Sequence, residues 1–251
     1  MKNTTVYALD FDGVICDSAV ETAITGWKAA CTIWDDMPQT VSPEKITQFR
    51  DIRPIIETGY EAILAMRLLY LDVSIADIYG DYVNKMQTLS AAAQVSIDDL
   101  KRLFGETRDN WIAMDVSDWV KMNPLFDGVA EKLSRLGQTC DWYIVTTKQE
   151  RFVQRILEAN SIILPDERIF GLDRNMSKVE VLRWLSQTHP NTTIYFVEDR
   201  LPTLMNVLNS EGLSMVKPLF ALWGYNTAED KVLSAKQPIL SLQLEDFLGV
   251  I

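Results

Sequence analysis

The sequence predicts an α/β protein: a doubly wound parallel sheet with an inserted all-helical domain. Three observations predict it. Short apolar runs recur at VYAL (6–9), WYIV (142–145), IYFV (194–197) and LFALW (219–223), rich in β-branched and aromatic residues and short enough for buried parallel strands. Helical apolar patterns stand between them, and strands alternating with helices give a parallel sheet. Residues from about 35 to 118 break this rhythm and carry helical spacing only.

Taking the elements in order, VYAL ends in Asp10 and Asp12. Ser18 with Glu21 has capping-box spacing and predicts the next helix start. The helical domain is expected over 21–118, leaving 1–20 and 119–251 as the core. Within it lie ETGYEAILAMRLLYL, IADIYGDYVNKM and a segment opened by Ser96, where Leu100, Leu103, Phe104, Trp111 and Met114 recur at helical spacing. The core resumes near Pro124, with FDGVAEKLSRLG as a helix leading to the strand at 142. WYIV ends in Thr146, and Thr147 with Glu150 predicts a cap before Val153, Ile156 and Leu157. Ser177 with Glu180 predicts another, before Val179, Leu182 and Leu185. IYFV ends in Glu198 and Asp199, with Pro202 helping to start the following helix. LFALW ends in Gly224, Tyr225 and Asn226. Ligands of such sheets bind outside the carboxyl ends of the strands. Asp10, Asp12, Thr146, Glu198 and Asp199 are therefore expected along one rim.

Composition narrows the function classes. With 251 residues, 47% of them hydrophobic, the chain has apolar material for one large domain or a core with a smaller one attached. A net charge of −11 argues against nucleic acid or an anionic membrane as the main partner. It leaves room for an anionic small molecule, since a metal and a few lysines invert the field locally. Cys16, Cys31 and Cys140 show no CxxC spacing and leave an odd count, which fits a reducing compartment. The opening MKNTTVYALDFDG has too short an apolar run, too soon followed by acids, for a signal peptide. No apolar stretch approaches the roughly 18 residues of a membrane span. A cytoplasmic protein is expected, with its oligomeric state left open.

Four features carry chemistry. In DFDG, residues two apart point the same way, so Asp10 and Asp12 can share a site while Phe11 packs inward and Gly13 permits a sharp turn. One carboxylate can attack phosphorus and its neighbour can protonate the leaving oxygen. Two close carboxylates call for a cation, and Mg²⁺ suits carboxylates combined with phosphate oxygens. Thr146 offers a hydroxyl to a phosphoryl oxygen, with Thr147 as the helix cap and Lys148 as a solvated first-turn residue. Lys178 opposes the helix dipole unless an anion sits beside it. VEDR (197–200) supplies adjacent acids, a metal ligand and a carboxylate behind it. Singly, each has a plainer reading: an acidic turn, a strand-end Thr, a solvated lysine, a helix entry capped by Asp199. Together, in this order and at one end of one sheet, they point to a phosphoryl-transfer site.

The arrangement resembles the haloacid-dehalogenase-like hydrolases. ALDFDGVICDS resembles their first motif, YIVTTK the second, Lys178 the third and YFVEDR the fourth, with the core resemblance covering roughly 1–20 and 120–225. The resemblance implies Asp10 as nucleophile, Asp12 as general acid/base, Thr146 and Lys178 as phosphoryl binders, and Asp199 as Mg²⁺ ligand with Asp10 and the Asp12 backbone carbonyl. Glu198 is expected behind the metal. The helical insertion sits where the family's C1 cap does, as in phosphoglycolate-phosphatase-like members. Within the family, dehalogenases lack the second aspartate, so Asp12 favours phosphate-ester chemistry on a small phosphorylated metabolite. A phosphomutase or a non-catalytic phospholigand-binding module remain the alternatives. Thr147, Arg50, Arg53 and Tyr60 are candidate substrate contacts, the last three at the opening of a cap helix. His189, the only histidine, is expected to be exposed in its THPN turn.

Overall fold

The computed structural model of the chain describes residues 5–249. The first four residues of the N-terminal run and the last two of the core segment lie outside the described residues. The chain forms two compact units, one of residues 1–17 and 124–251, the other of residues 18–123. The sequence reading put these joins three residues later at the first boundary and five earlier at the second.

The first unit is built on strands β1 (Thr5–Leu9), β2 (Asp141–Val145), β3 (Ile169–Phe170), β4 (Thr193–Glu198), β5 (Val216–Ala221) and β6 (Leu240–Leu242). They form one parallel sheet in the order β3-β2-β1-β4-β5-β6. Three of the four predicted runs lie wholly within strands, and LFALW overruns the end of β5 by two residues. β3 and β6, two and three residues long, escaped because they carry too few residues for a periodic signal. Val6 and Ala8 of β1 join Tyr143 and Val145 of β2 in a cluster with Val181, Leu182 and Leu185, and with Leu201, Leu204 and Val207. Tyr7, Leu9, Trp142 and Ile144 point by the pleat to the opposite face and are buried too. Burial on both faces is why these strands read as unbroken apolar runs.

The second unit holds α1 (Ala19–Ile33), α2 (Pro43–Ile52), α3 (Glu61–Tyr70), α4 (Ile75–Gly80), α5 (Tyr82–Ala93) and α6 (Ile97–Lys121). Its core gathers Trp27, Phe49, Ile52, Leu64, Leu68 and Phe104. Ser96 caps α6 through a capping box with Asp99. α6 is kinked at Asp115, whose backbone leaves the helical region at φ −156° while its carboxylate accepts the Asp118 amide at 2.9 Å. Met114, expected in the apolar stripe, is 87% exposed just before this kink.

The remaining helices of the first unit are α7 (Val129–Thr139), α8 (Glu150–Ala159), α9 (Lys178–Thr188), α10 (Leu201–Leu208), α11 (Ala228–Ser234) and α12 (Leu244–Gly249). Of the three predicted capping boxes, only Ser177 with Glu180 forms. Ser18 precedes α1 without a side-chain cap, its backbone at φ −90°, ψ 8° rather than extended, and Glu21 turns inward to the Arg108 guanidinium at 2.7 and 2.8 Å. Thr147 does not cap α8, which starts after Gln149. Glu150 instead accepts the Gly171 and Asp173 amides at 2.9 and 3.1 Å, bracing the turn after β3. His189 is half-buried rather than exposed, its Nε2 2.9 Å from the Tyr143 hydroxyl. No described helix is long and apolar enough to cross a membrane.

Candidate functional site

The register of the sheet assembles the site. Leu9 pairs with Ile144 on one side and Val197 on the other, so Asp10, one residue on, comes level with Glu198. The Asp10 amide donates to Val197 O at 2.9 Å and the Thr146 amide to Phe170 O at 2.9 Å, extending the pairing by one residue. Asp10, Thr146, Glu198 and Asp199 all lie buried at the carboxyl ends of their strands.

Lys178 is the first residue of α9, and its ammonium reaches back over this rim. Nζ lies 2.8 Å from Asp10 Oδ1 and 2.7 Å from Glu198 Oε2. The other Glu198 oxygen, Oε1, accepts the Arg200 amide at 3.0 Å. Carboxylate oxygens of Asp10, Glu198 and Asp199 lie within 4.8 Å of one another. Burial pushes the Asp10 carboxyl up from 3.8 to about 6, with Lys178 pulling it down and Glu198 and Asp12 adding to the rise. Burial acts to lower Lys178, but the Asp10 and Glu198 carboxylates outweigh it and hold the ammonium above its ordinary value. Three buried carboxylates against one ammonium leave an excess of negative charge in low dielectric. That all-oxygen donor set fits a hard divalent cation.

Asp12 is not one of this trio. After Phe11, which is fully buried, the chain turns through Gly13 at φ +91°, with the Gly13 amide on Cys16 O at 2.9 Å. The Asp12 carboxylate is met by Lys148, whose Nζ lies 3.0 Å from Oδ1. Lys148 is therefore not the solvated residue the sequence suggested: it is 3% exposed. Its amide also donates to Thr146 Oγ1 at 3.2 Å, so the loop after β2 turns the lysine inward. The signal available for it was position alone, a lysine three residues beyond a strand end on the predicted rim. Asp199 does not cap α10; its Oδ2 accepts the Tyr225 amide at 2.6 Å. In the sequence Tyr225 stands out only as a residue just past a strand.

The candidate substrate contacts divide between the units. Thr147 follows Thr146 on the rim. Arg50, Arg53 and Tyr60 belong to the helical unit. Arg50 is exposed and Tyr60 is half-buried. Arg53 is buried, with Nη1 donating to Ile56 O at 2.8 Å.

Solved structures share this architecture along the whole chain. A hydrolase of the haloacid dehalogenase-like family from Streptococcus pneumoniae superposes with a TM-score of 0.54, at 18% identity, over 96% of this chain and 95% of that one. A predicted phosphatase from Clostridium acetobutylicum gives 0.57 at 17% identity, covering 98% and 96%. The chain has the haloacid-dehalogenase-like fold. A predicted phosphoglycolate phosphatase from Haemophilus somnus gives 0.61 at 16% identity, covering 99% and 96%. No protein-family model matches the sequence. No curated protein matches it. At such identities the likeness to this fold speaks for architecture, and the chemistry rests on the rim just described.

Proposed function

We propose that the chain is a magnesium-dependent phosphatase of the haloacid-dehalogenase-like superfamily, hydrolysing a small phosphorylated metabolite through an aspartyl phosphate on Asp10. The observation that carries this reading is Lys178 bridging Asp10 and Glu198 beside Asp199, at the end of the central strand. The similar structures above, two predicted phosphatases and a hydrolase, support this reading.

Asp10 is the nucleophile, attacking phosphorus as the leaving oxygen departs. Asp12 donates the proton to that oxygen and then takes one from the water that hydrolyses the phosphoenzyme, regenerating Asp10 and releasing phosphate. Lys178 and the Thr146 hydroxyl bind the phosphoryl oxygens, with Thr147 beside them. Lys178 also offsets part of the rise that burial imposes on the nucleophile's carboxyl. Mg²⁺, held by Asp10, Asp199 and the Asp12 backbone carbonyl, would neutralise phosphoryl charge. Glu198 stands behind it, its two oxygens taken by Lys178 and the Arg200 amide.

The helical unit serves as a C1-type cap, and Arg50, Arg53 and Tyr60 are its candidate substrate contacts. Partners are small phosphorylated metabolites rather than nucleic acid or membrane, in keeping with the charge of −11.

The test is a screen of phosphorylated metabolites with Mg²⁺, measuring released phosphate for the wild type and Asp10→Asn. Release by the wild type alone supports the proposal. No release from any compound, or equal release by both proteins, contradicts it.

A further inference from the structure

Asp199 is gripped by a segment that none of the four motifs includes. Beyond β5, residues 223–226 read WGYN. The turn is tight: the Gly224 amide donates to Ala221 O at 3.3 Å, and Asn226 Nδ2 donates to the same oxygen at 2.9 Å. From this turn the Tyr225 amide holds Asp199 Oδ2 at 2.6 Å, and Asn226 Nδ2 reaches the Asp199 carbonyl at 3.3 Å. Two further bonds tie the turn to the loop after β1. Tyr225 Oη donates to Asp17 Oδ1 at 2.9 Å, and Trp223 Nε1 donates to Val14 O at 3.1 Å.

The space around Asp199 is as constrained as its hydrogen bonds. A Cβ on Gly224 would lie 2.3 Å from Asp199 Cβ and 2.3 Å from Gly13 O. A Cβ on Gly13 would lie 2.0 Å from Asp199 Oδ2. Asp199 is thus pressed between two glycines, where any side chain would displace it.

We propose that residues 223–226 form a positioning clasp that sets the Asp199 carboxylate for the divalent cation, with Tyr225 and Asn226 as its positioning residues. The inference rests on reading Asp10, Glu198 and Asp199 as a cation site. A carboxylate fixed in advance binds a cation without losing rotamer freedom at that moment, and partners behind a ligand commonly govern metal affinity in this way. Tyr225 acts twice: its amide holds the ligand, and its hydroxyl anchors the turn to Asp17. Asn226 bonds the turn to Asp199's own backbone.

Isothermal titration of Mg²⁺ into chelator-treated protein reads this directly. Tyr225→Phe and Asn226→Ala are each expected to weaken Mg²⁺ binding by about 10- to 100-fold. Turnover at saturating Mg²⁺ should fall by a smaller factor than affinity, a split that general loosening of the fold would not produce. Gly224→Ala should weaken binding further; if it does not fold, the other two variants carry the test. Wild-type binding with both variants unchanged would overturn the clasp while leaving the cation site standing. A wild type that takes up no Mg²⁺ would overturn the site and the clasp with it.

Discussion

Lys148 Nζ lies 3.0 Å from Asp12 Oδ1, an ion pair made by a lysine that is 3% exposed. Such a lysine orients the carboxylate that is proposed to move the proton. Lys148→Met should therefore lower turnover within the range of general acid–base catalysis, about 10²–10⁴-fold, and Asp12→Asn should do the same. Both penalties should shrink for p-nitrophenyl phosphate, whose leaving group needs little protonation. Comparing kcat/KM for that ester and an alkyl phosphate checks this. Equal losses on the two substrates would remove Asp12 and Lys148 from proton transfer.

Asp10 makes the metal-free protein pH-sensitive. Its folded carboxyl is raised from 3.8 to about 6, mainly by burial, so the fold favours the protonated form. That contribution is full below the unfolded value and is lost as pH rises through about 6. Chelator-treated wild type should lose stability relative to Asp10→Asn as pH rises from 3.8 through about 6. Added Mg²⁺ should restore stability to the wild type at the upper end. Urea denaturation across this range, with and without the cation, measures both. Parallel profiles for the two proteins would show that Asp10 titrates normally.

In the helical unit, Glu21 is a fully buried side chain that several donors meet. Arg108 Nε and Nη2 reach it at 2.8 and 2.7 Å, the Trp119 indole at 3.0 Å and the Thr25 hydroxyl at 2.6 Å. Arg108 and Trp119 stand on either side of the α6 kink, so one carboxylate ties both segments to α1. Arg108→Met strands that carboxylate and should cost about 3–5 kcal/mol by chemical denaturation. Glu21→Gln combined with Arg108→Met should recover part of the loss. A loss under about 1 kcal/mol would mean that water replaces the guanidinium.

How much of this was legible in the sequence follows from what each residue does locally. The four long strands announced themselves because a strand buried on both faces must be apolar throughout. Asp10, Thr146, Glu198 and Asp199 were legible because a polar residue ending such a strand falls on the sheet's carboxyl rim. Lys178 was legible through its conflict with the helix dipole. Lys148 was misread as solvated because nothing near it in the chain shows that Asp12, 136 residues away, receives it. Glu21 and Glu150 had the spacing of capping residues, but stronger distant partners claimed them. Spacing reports only the local option, and tertiary contacts chose otherwise. The Tyr225 amide was invisible for a simpler reason: any residue supplies a backbone amide, so its grip on Asp199 leaves no mark on composition.

The central claim is that Asp10 becomes phosphorylated. The direct measurement is mass spectrometry of acid-quenched Asp12→Asn protein after mixing with p-nitrophenyl phosphate and Mg²⁺, because loss of the acid/base residue should slow hydrolysis of the phosphoenzyme. The account predicts one added phosphoryl group on the peptide containing Asp10, absent from Asp10→Asn and Asp12→Asn combined. Turnover with no phosphoryl group on Asp10, or full activity in pure Asp10→Asn protein, would contradict it.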